Sequence, residues 1–120
     1  MIDHVGFEVS DLERSARFYD AIFGALGARR LLETEHAVAY GVTSPLVWIV
    51  VRGRQPGPGY GHMALQANGK AAVDAAHGAG LAGGGRDAGP PGQRPQYGPH
   101  YYAAYLLDPD GLRVEVVSRR

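Results

Sequence analysis

The sequence predicts an α+β fold built from two tandem βαβββ modules, and three observations carry that prediction. Asp3-His4-Val5-Gly6-Phe7-Glu8-Val9 and Gly61-His62-Met63-Ala64-Leu65-Gln66-Ala67 are two copies of one alternating pattern, about half the chain apart. Each copy is followed by a small polar residue and a stretch with helical spacing. Short strand-like runs then close each half.

In the first half, Val5, Phe7 and Val9 alternate with His4, Gly6 and Glu8, which makes a strand with one apolar and one polar face. Ser10 and Asp11 offer an N-cap. Leu12, Ala16, Tyr19, Phe23 and Leu26 then form a single apolar stripe, so a helix covers the apolar face and ends at Gly24 or Gly27. Three short strands are expected near 28–33, 36–42 and 46–51. The last of these, Leu46-Val47-Trp48-Ile49-Val50-Val51, is too short and too β-branched for a helix. Module 1 occupies about 1–53, and the proline- and glycine-rich 54–60 reads as a linker.

The second module, about 61–120, repeats this order within what is a single domain. Gly61 to Ala67 is the strand, Asn68 the cap, and Lys70 to about Ala79 an alanine-rich helix stopped by glycines. The stretch 83–99, crowded with glycine and proline, shows no alternation and reads as a long loop, of a kind that is either functional, as a lid is, or mobile. Tyr101 to Leu107 and Leu112 to Ser118 are strands joined by the turn Asp108-Pro109-Asp110-Gly111.

Composition narrows the function classes. With 120 residues the chain buries enough surface for one real core. Twelve basic and twelve acidic residues are scattered rather than blocked, which argues against a nucleic-acid partner. There is no cysteine, hence no disulfide, thiolate ligand or cysteine nucleophile. No apolar run approaches membrane-spanning length and no signal-like start is present, so a cytoplasmic protein with no membrane partner is expected. No phosphate loop, nucleophile elbow or dinucleotide fingerprint occurs.

Asp3-His4-Val5-Gly6-Phe7, Ser15-Ala16-Arg17-Phe18-Tyr19, His62-Met63-Ala64-Leu65 and Asp108-Pro109-Asp110-Gly111-Leu112-Arg113-Val114-Glu115 together resemble the glyoxalase, bleomycin-resistance and extradiol-dioxygenase (vicinal oxygen chelate) superfamily over nearly the whole chain. The resemblance implies modules that curl into a cupped mixed sheet, helices outside, with a metal or ligand in the cup. It implies a metal triad of His4, His62 and Glu115, because the superfamily's terminal carboxylate ligand follows the first aspartate of the turn at the spacing that Asp108 and Glu115 show. Two imidazoles and a carboxylate suit zinc, nickel, iron, manganese or cobalt. Repeat equivalence supports the histidine pair, since a pseudo-twofold axis brings equivalent residues together from opposite sides.

Superposing the apolar endings of the last strands lays Val114-Glu115-Val116-Val117 over Trp48-Ile49-Val50-Val51. That puts Ile49 where glyoxalase I carries a further glutamate, so the resemblance does not extend to that ligand. Glu8 shares the face of His4 and reads equally as a base, its pKa raised by burial in the cup, or as a carboxylate that supports a ligand or faces solvent. Gln66 is its repeat equivalent and is expected to orient a substrate by hydrogen bonding. Tyr105 is expected to serve catalysis, as the matching tyrosine of related fosfomycin-directed thiol transferases contacts substrate, with Tyr101 on the same strand face. Trp48 reads equally as core or as a substrate shelf, and His100 is a candidate for the mouth of the cup. His36 and His77 read as ordinary, the first near a strand turn and the second on a helix, without a paired carboxylate at ligand spacing.

The expected function is a metal-dependent enzyme, a lyase or isomerase before a dioxygenase, binding a small oxygenated substrate through two neighbouring oxygens. The alternative is a non-catalytic antibiotic-binding protein of the bleomycin-resistance type. The resemblance further implies a homodimer, with the cup formed within one chain or across two.

Overall fold

In the computed structural model, which describes residues 1–120, the order is β1 (Val5–Val9), α1 (Leu12–Ala25), β2 (Arg29–Glu33), β3 (Ala37–Gly41) and β4 (Val47–Val51), then β5 (His62–Gln66), α2 (Lys70–Ala82), β6 (Arg86–Gln93), β7 (Tyr102–Leu107) and β8 (Arg113–Ser118). The strands form two four-stranded sheets of identical plan, β1-β4-β3-β2 and β5-β8-β7-β6. In each, the first strand runs parallel to the last and the other pairs are antiparallel. This is the tandem βαβββ α+β fold that the repeat predicts.

Both helices stop in the same way. After α1, the Ala28 N–H reaches the Phe23 carbonyl at 2.8 Å and the Gly27 N–H the Gly24 carbonyl at 3.3 Å, with Gly27 at φ 84°. After α2, Gly85 bonds to Gly80 at 2.9 Å and Gly84 to Leu81 at 3.3 Å, with Gly84 at φ 108°. These paired bonds satisfy the last carbonyls, and only glycine takes the left-handed position without strain. At the start of α1, Asp11 accepts the Arg14 N–H at 3.0 Å, the expected cap. Asn68 does not cap α2; the N-cap is Gly69, at φ 102°, with no side-chain bond.

The stretch 83–99 is not the loop its composition implies. Arg86–Gln93 within it is β6, an outer strand paired with β7, with register shifts on either side of Gly89, followed by a 3₁₀ turn over Pro95–Tyr97. Proline hides the strand because it cannot donate to a ladder, yet an edge position tolerates it.

One core joins the modules. Phe18, Tyr19, Ile22 and Phe23 of α1 pack with Val9, Val38, Tyr40 and Ile49 of the first sheet and with Met63, Leu106 and Val114 of the second. Each large apolar side chain buried here contributes about 1.5–3 kcal/mol. Two glycines make the approach possible: a Cβ at Gly85 would fall 2.3 Å from the Phe18 ring, and one at Gly80 would fall 2.7 Å from Leu106 Cδ1. The helix-covered faces of both sheets therefore meet in the middle of the molecule, and their other faces point outward.

The Asp108-Pro109-Asp110-Gly111 turn latches module 2 onto α1. Asp108, 2% exposed, accepts the N–H groups of Asp110 and Leu112 at 2.9 and 2.8 Å on one oxygen and the buried Tyr19 hydroxyl at 2.7 Å on the other. Burial raises the pKa of both Asp108 and Tyr19. Asp110 accepts the Ser10 hydroxyl at 2.5 Å, the Ser10 N–H at 3.0 Å and Arg14 at 3.0 Å. Burial would raise the Asp110 pKa, but these donors outweigh it and hold the group below the ordinary aspartate value.

Tyr19→Phe removes the hydroxyl that satisfies Asp108, and urea unfolding should show a loss of about 1.5–3 kcal/mol. Because the Asp110 pKa is depressed on folding, its contribution is complete above the unfolded value of about 3.9 and is lost as pH falls through the lower folded value. Asp110→Asn should accordingly flatten the acid limb of the stability profile below about pH 4, measured by thermal melts across pH.

Candidate metal and substrate site

The outward face of the second sheet carries His62, Gln66, Tyr105 and Glu115 of the expected site residues. Register places Ala64, Glu115 and Tyr105 side by side across β5, β8 and β7, with His62 opposite Arg113 in the neighbouring row and Gln66 opposite Val117 on the other side. Period-two alternation explains the choice: Val114 and Val116 turn into the core, so Arg113, Glu115 and Val117 turn out. Glu115 is only 2% exposed although it lies on this open face, because its neighbours cover it. One carboxylate oxygen sits 2.9 Å from His62 Nε2 and the other accepts the Tyr101 hydroxyl in a short hydrogen bond. Burial and the adjacent Glu115 charge push the Tyr101 phenol up to about 12. Tyr105 is raised for the same two reasons, in the same order.

His4 stands elsewhere. It precedes β1 in the first module, bonds to Asp3 at 2.6 Å, and lies with its ring 6.3 Å from that of Trp48. Within one chain, then, the structure brings together two of the three expected ligands, and no three histidine or carboxylate side chains cluster at metal-binding distance.

The register also corrects the sequence alignment of the last strands. Gly6 pairs with Trp48 as Ala64 pairs with Glu115, and Gly6 and Ala64 are equivalent when His4 is laid on His62. Trp48, not Ile49, occupies the place of Glu115 in module 1. Ile49 is fully buried beneath α1. Matching apolar endings slid the strand by one residue, and one residue reverses every side chain. The corner still lacks a carboxylate, and Trp48 stands on the outward face beside His4 rather than in the core.

The elevation of the Glu8 pKa that the reading as a base implies is reversed. Arg54 grips Glu8 through Nε and Nη2 at 2.8 and 3.0 Å, and this pairing lowers the carboxyl's pKa below its ordinary value. Gln66 lies exposed on the outward face of β5, and His100 is exposed in the turn before β7. His77 does have a carboxylate partner: it is buried, and its Nε2 lies 2.9 Å from Asp87 on β6. That pairing went unseen because the strand carrying Asp87 was hidden. Arg94 and Arg119, which no sequence motif marks, lie over the rings of Tyr105 and Tyr101.

A depression of about 330 Å³ beside His62 and Arg113 is lined by Gly59, Tyr60, Gly61 and Gly111. The largest groove, about 860 Å³, runs between α1 and β2, and none of the expected site residues lines it. The expected donor groups therefore lie away from the largest groove.

Comparison with known proteins agrees with the fold. The family model of the Glyoxalase/Bleomycin resistance protein/Dioxygenase superfamily matches residues 1–116. A glyoxalase/bleomycin resistance protein from Albidiferax ferrireducens T118 is 33% identical, with a TM-score of 0.85 over 98% of this chain and 97% of that one. The fosfomycin resistance protein FosX from Mesorhizobium loti shares the fold at 22% identity, with a TM-score of 0.72 over 98% and 91% of the two chains. A glyoxalase I mutant from Zea mays does so at 23% identity, with a TM-score of 0.76 over 97% of this chain and 46% of that one. No curated protein matches the sequence.

The outward and inward positions of β4 should respond unequally to a carboxylate. Ile49→Glu buries an unpaired charge and should cost more than about 4 kcal/mol or prevent folding, whereas Trp48→Glu should cost less than about 2 kcal/mol, as read by denaturant titration.

Proposed function

The chain belongs to the Glyoxalase/Bleomycin resistance protein/Dioxygenase superfamily, and from that membership we propose a metal-dependent enzyme, a lyase or isomerase, acting on a small oxygenated molecule. The observation that carries this reading is the pre-arranged pair of His62 and the buried Glu115 on an outward sheet face. A carboxylate so well covered is costly unless paired, and its two oxygens already point at an imidazole and a phenol.

The donor set fits a divalent ion such as zinc, nickel, iron, manganese or cobalt: His62 and Glu115 from one chain and His4 from a second. Both sheets leave β1 and β5 unpaired along one edge, and both outward faces are free, so a symmetric dimer can set module 1 of one chain against module 2 of the other. His4, His62 and Glu115 would hold such an ion, which would supply Lewis-acid polarisation of two neighbouring substrate oxygens.

The protein's own groups have separate tasks. Tyr101 fixes the orientation of Glu115 by donating to it. Tyr105, on the same face and beside Glu115 in register, stands where it can contact a reacting group. Gln66 supplies an amide further along β5. Trp48 brings an apolar wall beside His4, which excludes water from that side of the assembled cup. Glu8, ion-paired with Arg54, is a weaker base than a free carboxylate and is better placed to hold charge than to take a proton.

Mixing variants tests the shared site. His4→Ala and Glu115→Gln homodimers should each lose metal, whereas refolding them together should restore about a quarter of the wild-type metal content, since half the dimers regain one of two sites. Metal analysis of the mixture reads this directly. Wild-type protein that binds no metal under saturating conditions would instead favour the sequestering type of function.

A further inference from the structure

Three guanidinium groups lie over the outward face of the second sheet without a carboxylate to neutralise them. Arg113 Cζ is 4.5 Å from the Tyr105 ring centroid, Arg94 Cζ is 5.6 Å from the same ring, and Arg119 Cζ is 4.8 Å from that of Tyr101. The arginines that pair with carboxylates are Arg14, Arg30 and Arg54, all elsewhere. Arg94 donates Nη2 to the Pro90 carbonyl at 2.7 Å, which leaves most of its five N–H groups free. Glu115 is the one carboxylate that strand residues present on this face, and His62 and Tyr101 already engage it.

The chain makes room for Arg94. A Cβ at Gly92 would lie 3.1 Å from Arg94 Nη1, and one at Gly89 would lie 3.0 Å from Tyr105 Cδ2 and 3.5 Å from Arg94 Nη2. Two positions of β6 thus lack side chains where the guanidinium folds back across the strand and over the tyrosine. A guanidinium laid against an aromatic ring keeps its planar fork and loses little further freedom when its edge binds an anion. That fork matches the paired oxygens of a carboxylate or phosphonate.

We propose that Arg94, Arg113 and Arg119 form an anion-binding wall, and that the molecule taken by this site carries a carboxylate or phosphonate group in addition to the oxygens that meet the metal. The wall shares the floor formed by His62 and Glu115 and rests on the reading of that floor as the site. Arg113 is opposite His62 in register and, with Arg94, lies over Tyr105, while Arg119 lies over Tyr101, which bonds Glu115. The substrate class is thereby a small oxyanion rather than a neutral carbonyl compound or a cationic drug.

The test uses the full-length protein, metal-loaded and chelator-treated, titrated calorimetrically with benzoate, phenylphosphonate and neutral benzamide. At least one anion should bind about 10-fold more tightly than benzamide, with an advantage that shrinks as salt rises, and the rank of the two anions identifies the group preferred. Arg94→Gln and Arg113→Gln should each reduce that advantage about 3-fold or more while leaving benzamide affinity unchanged, and Arg94→Lys should restore it only in part. Benzamide binding as tightly as both anions in the wild type, or arginine variants that keep the full preference, would overturn the proposal. Failure of the metal reading looks different: the protein then takes up no metal, yet the anion preference persists in both preparations. If the variants do not fold, the wild-type comparison and its salt dependence still decide the matter.

Discussion

The buried hydrogen bond between Tyr19 and Asp108 is the constraint around which the molecule is organised. It joins the first helix of module 1 to the last turn of module 2, and the neighbouring Asp110 repeats the connection through Ser10 and Arg14. The turn is therefore more than a reversal between strands. Asp108 closes its own loop through backbone N–H groups and spends its remaining oxygen on the other module. With α1 held against module 2, and with Gly80 and Gly85 clearing space for Ile22, Leu106 and Phe18, one core serves both sheets.

That shared core decides where chemistry can occur. The faces that meet α1 and α2 are used up by packing, so every outward side chain belongs to one of two separate surfaces. The duplication has left these surfaces unlike. Module 2 carries His62, Glu115, two tyrosines and three arginines. Module 1 carries His4 beside Trp48, with Glu8 closed by Arg54. Tryptophan in place of the repeat-equivalent carboxylate makes the first half apolar where the second is polar, and a ligand spanning both would meet a hydrophobic wall on one side and cations on the other.

Most elements were legible because each obeys a local rule. The cap at Asp11, the apolar stripe of α1, the glycines after both helices and the alternation of β1 and β5 all act within a few residues. What failed to show depended on distant partners. The strand over Arg86–Gln93 exists because β7 offers it a ladder, and its glycines and prolines conceal any alternation. His77 looked ordinary because Asp87 reaches it only once that strand is in place. The slip from Trp48 to Ile49 arose because apolar residues run unbroken through β4, so composition gives no register; the parallel pairing with β1 sets it.

The sequence by itself determined the duplicated βαβββ plan, the family resemblance and the identities of the donor residues, since period, capping and motif spacing are properties of neighbouring positions. Only the tertiary structure decided which donors meet. It joined His62 to Glu115, separated His4 from both within the chain, and folded Arg94 over Tyr105 across two glycines. The physical reason is that contact between side chains far apart in sequence depends on how sheets and helices share a core, and here the core lies between the modules, turning their chemical faces away from each other.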